Sequence, residues 1–215
     1  MRKRLALVGI LACLGSPANA AETKVQDCSR GDGMKNAALA WKPTDQIAVK
    51  GVVTLPPDGS AAPAPPRIQV GVLKDLRENP QRVGENREDM ERGCVYPVIV
   101  KDDVPAWAAD RLAYVLKHLG FEVTATDGDV FIDGELREFF VAEGGTYDGQ
   151  IGMKLNVKSK SGKALWSGLV GGSNGRWGKS YKLANYQETL SDAMIDLAQK
   201  LAADPGFTNA VNSRD

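Results

Sequence analysis

From residue 151 to 158 the chain alternates strictly, with Ile151, Met153, Leu155 and Val157 set against Gly152, Lys154, Asn156 and Lys158. Successive side chains of an extended strand point to opposite faces, so this segment has one dry face and one wet face. The dry face has to be covered by another layer, and that requirement governs everything else the chain does. Ser161-Gly162 reads as a turn into a partner strand over residues 163–170. The Asp127-Gly128 turn leads into another strand over residues 130–141. There Asp127, Asp129 and Asp133 alternate with Val130 and Ile132 and read as its wet face, because they lack the spacing and terminal glutamate of an EF-hand loop.

Two amphipathic helices are available as the cover. The first is capped by Asp102 or Asp103 and carries Pro105 in its first turn. Val104, Trp107, Ala108, Leu112, Val115, Leu116 and Leu119 share one face at helical spacing, and Gly120 ends it. The second runs over residues 185–203 with the stripe Tyr186, Leu190, Ala193, Met194, Leu197 and Leu201, and Asp204-Pro205-Gly206 stops it. Upstream, strands are predicted over residues 47–55, 67–73 and 95–100, with a short one at 121–124. A Pro/Ala linker fills residues 56–66, and the charged stretch 74–93 reads as a solvated loop. The predicted fold is α+β, a largely antiparallel sheet covered on one face by two amphipathic helices. A single domain spans residues 46–208, preceded by a polar extension over 21–45 and followed by a tail over 209–215.

The first twenty residues read as a secretory signal peptide. Arg2, Lys3 and Arg4 precede an apolar run from Leu5 to Leu14, and Ala18-Asn19-Ala20 is an A-x-A cleavage site. The alternative is a loose lipobox, Ile10-Leu11-Ala12-Cys13, whose use would anchor the chain by lipid at Cys13. Cleavage after Ala20 removes three basic residues and no acidic ones, leaving an excess of three acidic residues. Such a chain has no electrostatic reason to bind nucleic acid or an anionic membrane. No other apolar run is long enough to cross a bilayer. Cys28 and Cys94 survive cleavage, and in an oxidising compartment two cysteines read most simply as one disulfide. The expected location is the periplasm.

Two catalytic spellings overlap in Leu169–Tyr181, LVGGSNGRWGKSY. Gly171-Gly172-Ser173-Asn174-Gly175 fits the G-x-S-x-G nucleophile elbow, which needs a histidine after the serine. His118 is the only histidine, lies before Ser173, and sits in the last turn of the first helix, where a surface role is expected. Gly178-Lys179-Ser180 ends a near-match to a phosphate-binding loop, but Ser173 stands where that motif needs glycine and Trp177 would crowd the wrapped turn. The stretch therefore reads as a Gly/Ser/Asn-rich connector from the last strand to the last helix. Trp166 and Trp177 are candidate partner-binding residues, as an aromatic platform for a sugar or lipid. The alternative packs Trp166 into the sheet and Trp177 onto the helix cover.

Strand Ile68-Gln69-Val70-Gly71-Val72 is followed by Asp75-Leu76-Arg77 and Val83-Gly84. A helix then ends in Leu116-Lys117-His118-Leu119-Gly120-Phe121-Glu122-Val123, and the chain closes with Asp204-Pro205-Gly206-Phe207. Over roughly residues 67–208 this resembles the YajG-like envelope lipoproteins of Gram-negative bacteria and is more distantly similar to small α/β domains of envelope assembly and transport-auxiliary lipoproteins. The family is usually anchored at a cysteine, whereas here the A-x-A site is the better match. The resemblance implies a periplasmic, non-enzymatic protein and carries over no catalytic residue. Asp75 and Arg77 match its D-x-R, as candidate partner-binding residues or as a local ion pair bracing the loop after the strand. The expectation is an envelope protein without cofactor or metal that binds a protein or lipid partner. The alternatives are an auxiliary that holds a lipid between sheet and helices, and a secreted serine hydrolase.

Overall fold

The computed structural model describes residues 25–29, 34–47 and 64–213. The signal peptide, the lipobox, most of the strand expected over 47–55 and most of the Pro/Ala linker lie outside the described residues. In chain order the elements are β1 (Gln26–Asp27), β2 (Met34–Ala37), β3 (Ile68–Asp75), β4 (Arg82–Asn86), β5 (Cys94–Val100), α1 (Val104–His118), β6 (Val130–Glu143), β7 (Thr146–Ser159), β8 (Ala164–Trp177), α2 (Leu183–Ala203) and α3 (Pro205–Asn212).

The alternation over residues 151–158 becomes part of β7, the middle of three long antiparallel strands. β7 pairs with β6 from Val130↔Ser159 to Glu143↔Tyr147, and with β8 from Thr146↔Trp177 to Lys158↔Ala164. The other edge of β6 is shared. β3 lies parallel along its first half, from Ile68↔Val130 to Asp75↔Leu136, and β4 lies parallel along its end, from Gly84↔Val141 to Asn86↔Glu143. β5 pairs antiparallel with β4, and β1 and β2 divide the outer edge of β5. Among the described residues the sheet has eight strands and is largely antiparallel by paired length, with short parallel pairings at its N-terminal side.

The dry face carries the core. Tyr147, Ile151, Met153, Leu155 and Val157 of β7 are fully buried under the helices, as are Ile132, Leu136, Phe139 and Val141 of β6. Each such side chain contributes roughly 1.5–3 kcal/mol by leaving water. α1 begins where the Asp103 carboxylate accepts the Ala106 N–H at 3.0 Å, and it ends where Gly120 takes a left-handed φ of 97°. Its Ala108, Leu112, Val115 and Leu116 meet the sheet, and Leu190, Met194 and Leu197 of α2 fill the neighbouring half.

Four expectations change. The charged loop predicted over 74–93 contains β4, a strand with neighbours on both sides. Only Val83 gives it an aliphatic signature, because its other inward positions are Gly84 and Asn86. Gly84 is required there, since a Cβ would stand 2.8 Å from the Tyr186 ring of α2. The connector predicted over 169–181 is strand as far as Trp177, leaving residues 178–182 as the link to α2. β7 supplies a partner for every residue of that stretch, and glycine admits the helix: a Cβ on Gly172 would lie 2.1 Å from Ala193 O. Asp204-Pro205-Gly206 ends α2 and at once starts α3, with the Asp204 carboxylate accepting the Phe207 N–H at 2.8 Å. Cover therefore comes from three helices, and α3 takes in most of the predicted tail. Residues 121–124 make only a single bridge, Val123 to Ile68.

The N-terminal stretch read as an extension is tied into the domain. Cys28 and Cys94 form a disulfide across 66 residues, joining the end of β1 to the start of β5. Trp41 packs on Trp107 and Tyr114 of α1 at centroid distances of 6.1 and 5.7 Å.

Candidate partner-binding surface

The three described helices lie on one face of the sheet, and no described helix covers the other, the bare face. Odd-numbered residues of β8 point that way, because Gly172 and its even-numbered neighbours face α2. Leu169 is 73% exposed and Trp177 86% exposed there, and Val72 of β3 is 83% exposed beside the inward Leu73. The middle of this face is polar and internally paired. Asp133 accepts from Lys158 Nζ at 2.6 Å and Asn156 Nδ2 at 3.0 Å, and Arg137 Nη2 meets Glu135 at 2.7 Å. Gly152 and Gly171 leave a hollow of about 450 Å³ between Leu169 and the Arg137-Glu138 pair.

Arg137 and Glu138 both face outward because β6 bulges between Leu136 and Glu138. At the same point β3 leaves the edge of β6 and β4 has not yet joined it. The gap is a notch of about 310 Å³ lined by Arg77, Arg82, Glu85, Arg137, Glu138 and Phe140. Asp75 and Arg77 frame it as a two-pronged ion pair, Nε to Oδ1 at 2.9 Å and Nη2 to Oδ2 at 2.7 Å. Arg77 Nη2 also donates to Pro80 O, so the pair braces the loop between β3 and β4. Arg77 is only 6% exposed and its Cζ lies 5.8 Å from the Phe139 centroid. Burial alone would raise the Asp75 carboxyl, but the Arg77 hydrogen bonds and charge outweigh it and hold the pKa below the usual value. Arg82 and Arg87 both grip Glu85. The notch is therefore self-neutralising, with its arginine charges already engaged.

A second polar centre was hidden from sequence reasoning. Glu143, at the end of β6, is fully buried. It accepts the N–H groups of Ser180 and Tyr181 at 2.8 and 2.7 Å and the Tyr186 hydroxyl at 2.7 Å. Burial pushes its pKa up, and hydrogen bonds from Tyr147, the Tyr181 N–H and Tyr186 reverse that and hold it lowered. Burial, with Glu143 beside it, drives the Tyr186 phenol far up. This carboxylate fixes residues 178–182, where Tyr181 adopts a positive φ of 45°, and so sets Trp177 at the rim of the bare face. A glutamate ending an amphipathic strand gives no signal of this role, because Ser180, Tyr181 and Tyr186, which it clamps, lie 37 to 43 residues away.

The structure separates the two tryptophans. They sit at opposite ends of β8, eleven steps or about 36 Å apart, so they form no common platform. Trp166 packs edge-on against Phe207 of α3 at 5.7 Å, and Trp177 projects into solvent instead of lying on the helix cover. Ser173 faces the bare side while α1 lies on the other, so the sheet stands between Ser173 and His118. The His118 ring instead bonds Tyr114 O at 2.8 Å and stacks on the Tyr114 ring. Asp127 and Asp129 are engaged by Arg67 and Lys160, and a hydrogen bond from Arg67 is the main reason the Asp129 carboxyl falls to about 2. No cluster of three metal-ligating side chains occurs among the described residues, and no described helix is long and apolar enough to cross a membrane.

No protein-family model and no curated protein matches the sequence. Solved structures of similar shape include a DUF330 protein from Xanthomonas campestris, 15% identical with a TM-score of 0.47, covering 69% of this chain and 90% of that one. The PelC dodecamer of Paraburkholderia phytofirmans is 14% identical with a TM-score of 0.41, covering 70% and 89%. A candidate lipoprotein from Caulobacter crescentus CB15 is 10% identical with a TM-score of 0.41, covering 51% and 84%. At these values the likeness is one of general shape.

Proposed function

We propose that this chain is an exported, non-enzymatic protein of the bacterial cell envelope that binds a protein partner through the bare face of its sheet, with Trp177 as the anchor. The observation that carries the reading is Trp177 itself, an indole held 86% exposed on a long strand. Large exposed aromatics on rigid elements are the residues that dominate protein interfaces. The Glu143 clamp behind it limits the motion of the neighbouring link, which lowers the entropic cost of binding. The D-x-R at Asp75 and Arg77 and the wider resemblance to YajG-like proteins over residues 67–208 favour the envelope, as does a disulfide that needs an oxidising compartment. A protein partner is favoured over a lipid held between sheet and helices, because Leu112, Leu116, Ile132, Phe139, Met153 and Met194 fill that space at no more than 1% exposure.

The test is site-specific photo-crosslinking in cells from position 173, on the bare face near Trp177. The expected result is an adduct with an envelope protein whose yield falls at least tenfold in Trp177→Ala, while the thermal midpoint of the variant stays unchanged. An equal yield with and without the indole would remove Trp177 from the interface and the reading with it.

A further inference from the structure

Among the described residues, the bare face sets a knob and a hollow on the same strand. The knob is Trp177, 86% exposed. The hollow, about 450 Å³, lies over the paired Gly152 and Gly171 and is walled by Leu169, Arg137 and Glu138. Its floor is open because neither glycine carries a side chain. A Cβ on Gly171 would meet nothing closer than Ile151 O at 3.6 Å, and one on Gly152 would lie 3.6 Å from Glu138 Oε2. The Glu138 carboxylate therefore reaches over the floor, while Arg137 stands at the rim with its guanidinium turned to Glu135. An indole matches each wall of such a hollow. Its ring is apolar against Leu169 and the glycines, its face attracts a guanidinium, and its single N–H suits a carboxylate.

Gly171 and Trp177 are six steps apart on β8, about 20 Å, and face the same way. A two-fold axis lying across the strand at residue 174 exchanges these positions, so each copy's indole meets the other copy's hollow. Stacked sheets stand about 10 Å apart, a gap an indole crosses where glycine stands opposite. The residues between knob and hollow suit this contact. On β8 they are Ser173 and Gly175, small enough for a second sheet to approach, and beside them on β7 are Gln150 and Asp148. The same axis passes the Gly149 position, which pairs with Asn174, and so sets Asp148 of one copy against Gln150 of the other. Asp148 is the one charge among the outward residues of β7 and β8 in this strip, and it faces an amide donor instead of its own like. On β6 the axis sets Phe140 against Ala142, large against small. A second copy thus supplies both halves of the fit at once.

We propose that two copies of this chain pack their bare faces together about such an axis, with Trp177 of each seated over Gly152 and Gly171 of the other. This rests on the reading of the bare face as a protein interface and names its occupant. The strip is narrow, so the dimer is a weak one. Sedimentation equilibrium of the exported, disulfide-bonded chain tests it. The weight-average mass is expected to climb with concentration toward twice that of the single chain. Trp177→Ala removes the knob and Gly171→Leu fills the hollow, and each is expected to weaken self-association at least tenfold with an unchanged far-UV spectrum. Mixing the two variants is expected to restore association, because the mixed pair regains one indole in one open hollow. A single-chain mass at every concentration overturns the proposal, as does a mass that passes twice the single chain. Association that survives Trp177→Ala, or a mixture no stronger than either variant alone, overturns it as well. A crosslinked adduct with a different envelope protein, lost in Trp177→Ala, would stand beside a single-chain mass, so the two readings fail separately.

Discussion

At the scale of single residues, two glycines one position apart carry opposite weight. Gly172 faces α2, and a Cβ there would sit 2.1 Å from Ala193 O and 2.5 Å from Leu197 N, both backbone atoms that cannot turn aside. Gly171 faces the bare side, where the nearest atom to a Cβ is Ile151 O at an ordinary 3.6 Å. Gly172→Ala is expected to cost about 3 kcal/mol in urea unfolding and Gly171→Ala less than about 1 kcal/mol. Glu143 supplies the pH dependence. Its folded pKa is lowered, so its contribution is complete above the unfolded carboxylate value and disappears as pH falls through the folded one. Glu143→Gln is expected to cost about 2 kcal/mol at pH 7. That gap should narrow steadily below about pH 4.3 when urea midpoints are measured against pH.

At the scale of elements, α3 closes the end of the core that α1 and α2 leave open. Phe207 is fully buried, edge-on to Trp166 at 5.7 Å and to Phe121 at 5.9 Å. Phe207→Ala is expected to lower stability by about 3–5 kcal/mol in the same unfolding measurement, a core-sized loss from a residue the sequence places after the last helix. α1, β7 and α2 were legible because each obeys one period over many residues. β4 and the second half of β8 were not. In β4 the inward positions are Val83, Gly84 and Asn86, and Gly84 is there to fit Tyr186 from α2, more than 100 residues away. In β8 the glycines that spell a turn serve close approach of a helix, and a local reading of glycine cannot tell these uses apart.

At the scale of the whole molecule, the disulfide fastens the N-terminal strand to the sheet across 66 residues. In the chain-entropy account a loop of that length contributes about 4 kcal/mol by restricting the unfolded chain. The Cys28→Ser, Cys94→Ser double variant is expected to lose about that much, read from its denaturant midpoint, with an unchanged far-UV spectrum in water. The bare face is also a property of the whole. Its charged residues pair with one another, Asp133 with Lys158 across strands and Glu135 with Arg137 along β6, so its middle is solvated, while Leu169, Val72 and Trp177 stand clear of that belt.

The sequence by itself determined the layering: period two over residues 151–158 demanded a one-sided sheet, and two helical stripes demanded that it be covered. It also determined the two cysteines available to pair, and it placed the single histidine before Ser173, against the order a nucleophile elbow needs. Only the tertiary structure decided which letters carry weight. It turned a motif-like glycine run into a strand under α2, parted Trp166 from Trp177 along β8, and buried Glu143 against a loop that follows it by more than thirty residues. The physical reason is range: periodicity is a local property of the chain, whereas close backbone approach, buried charge and solvent exposure are set by partners distant in sequence.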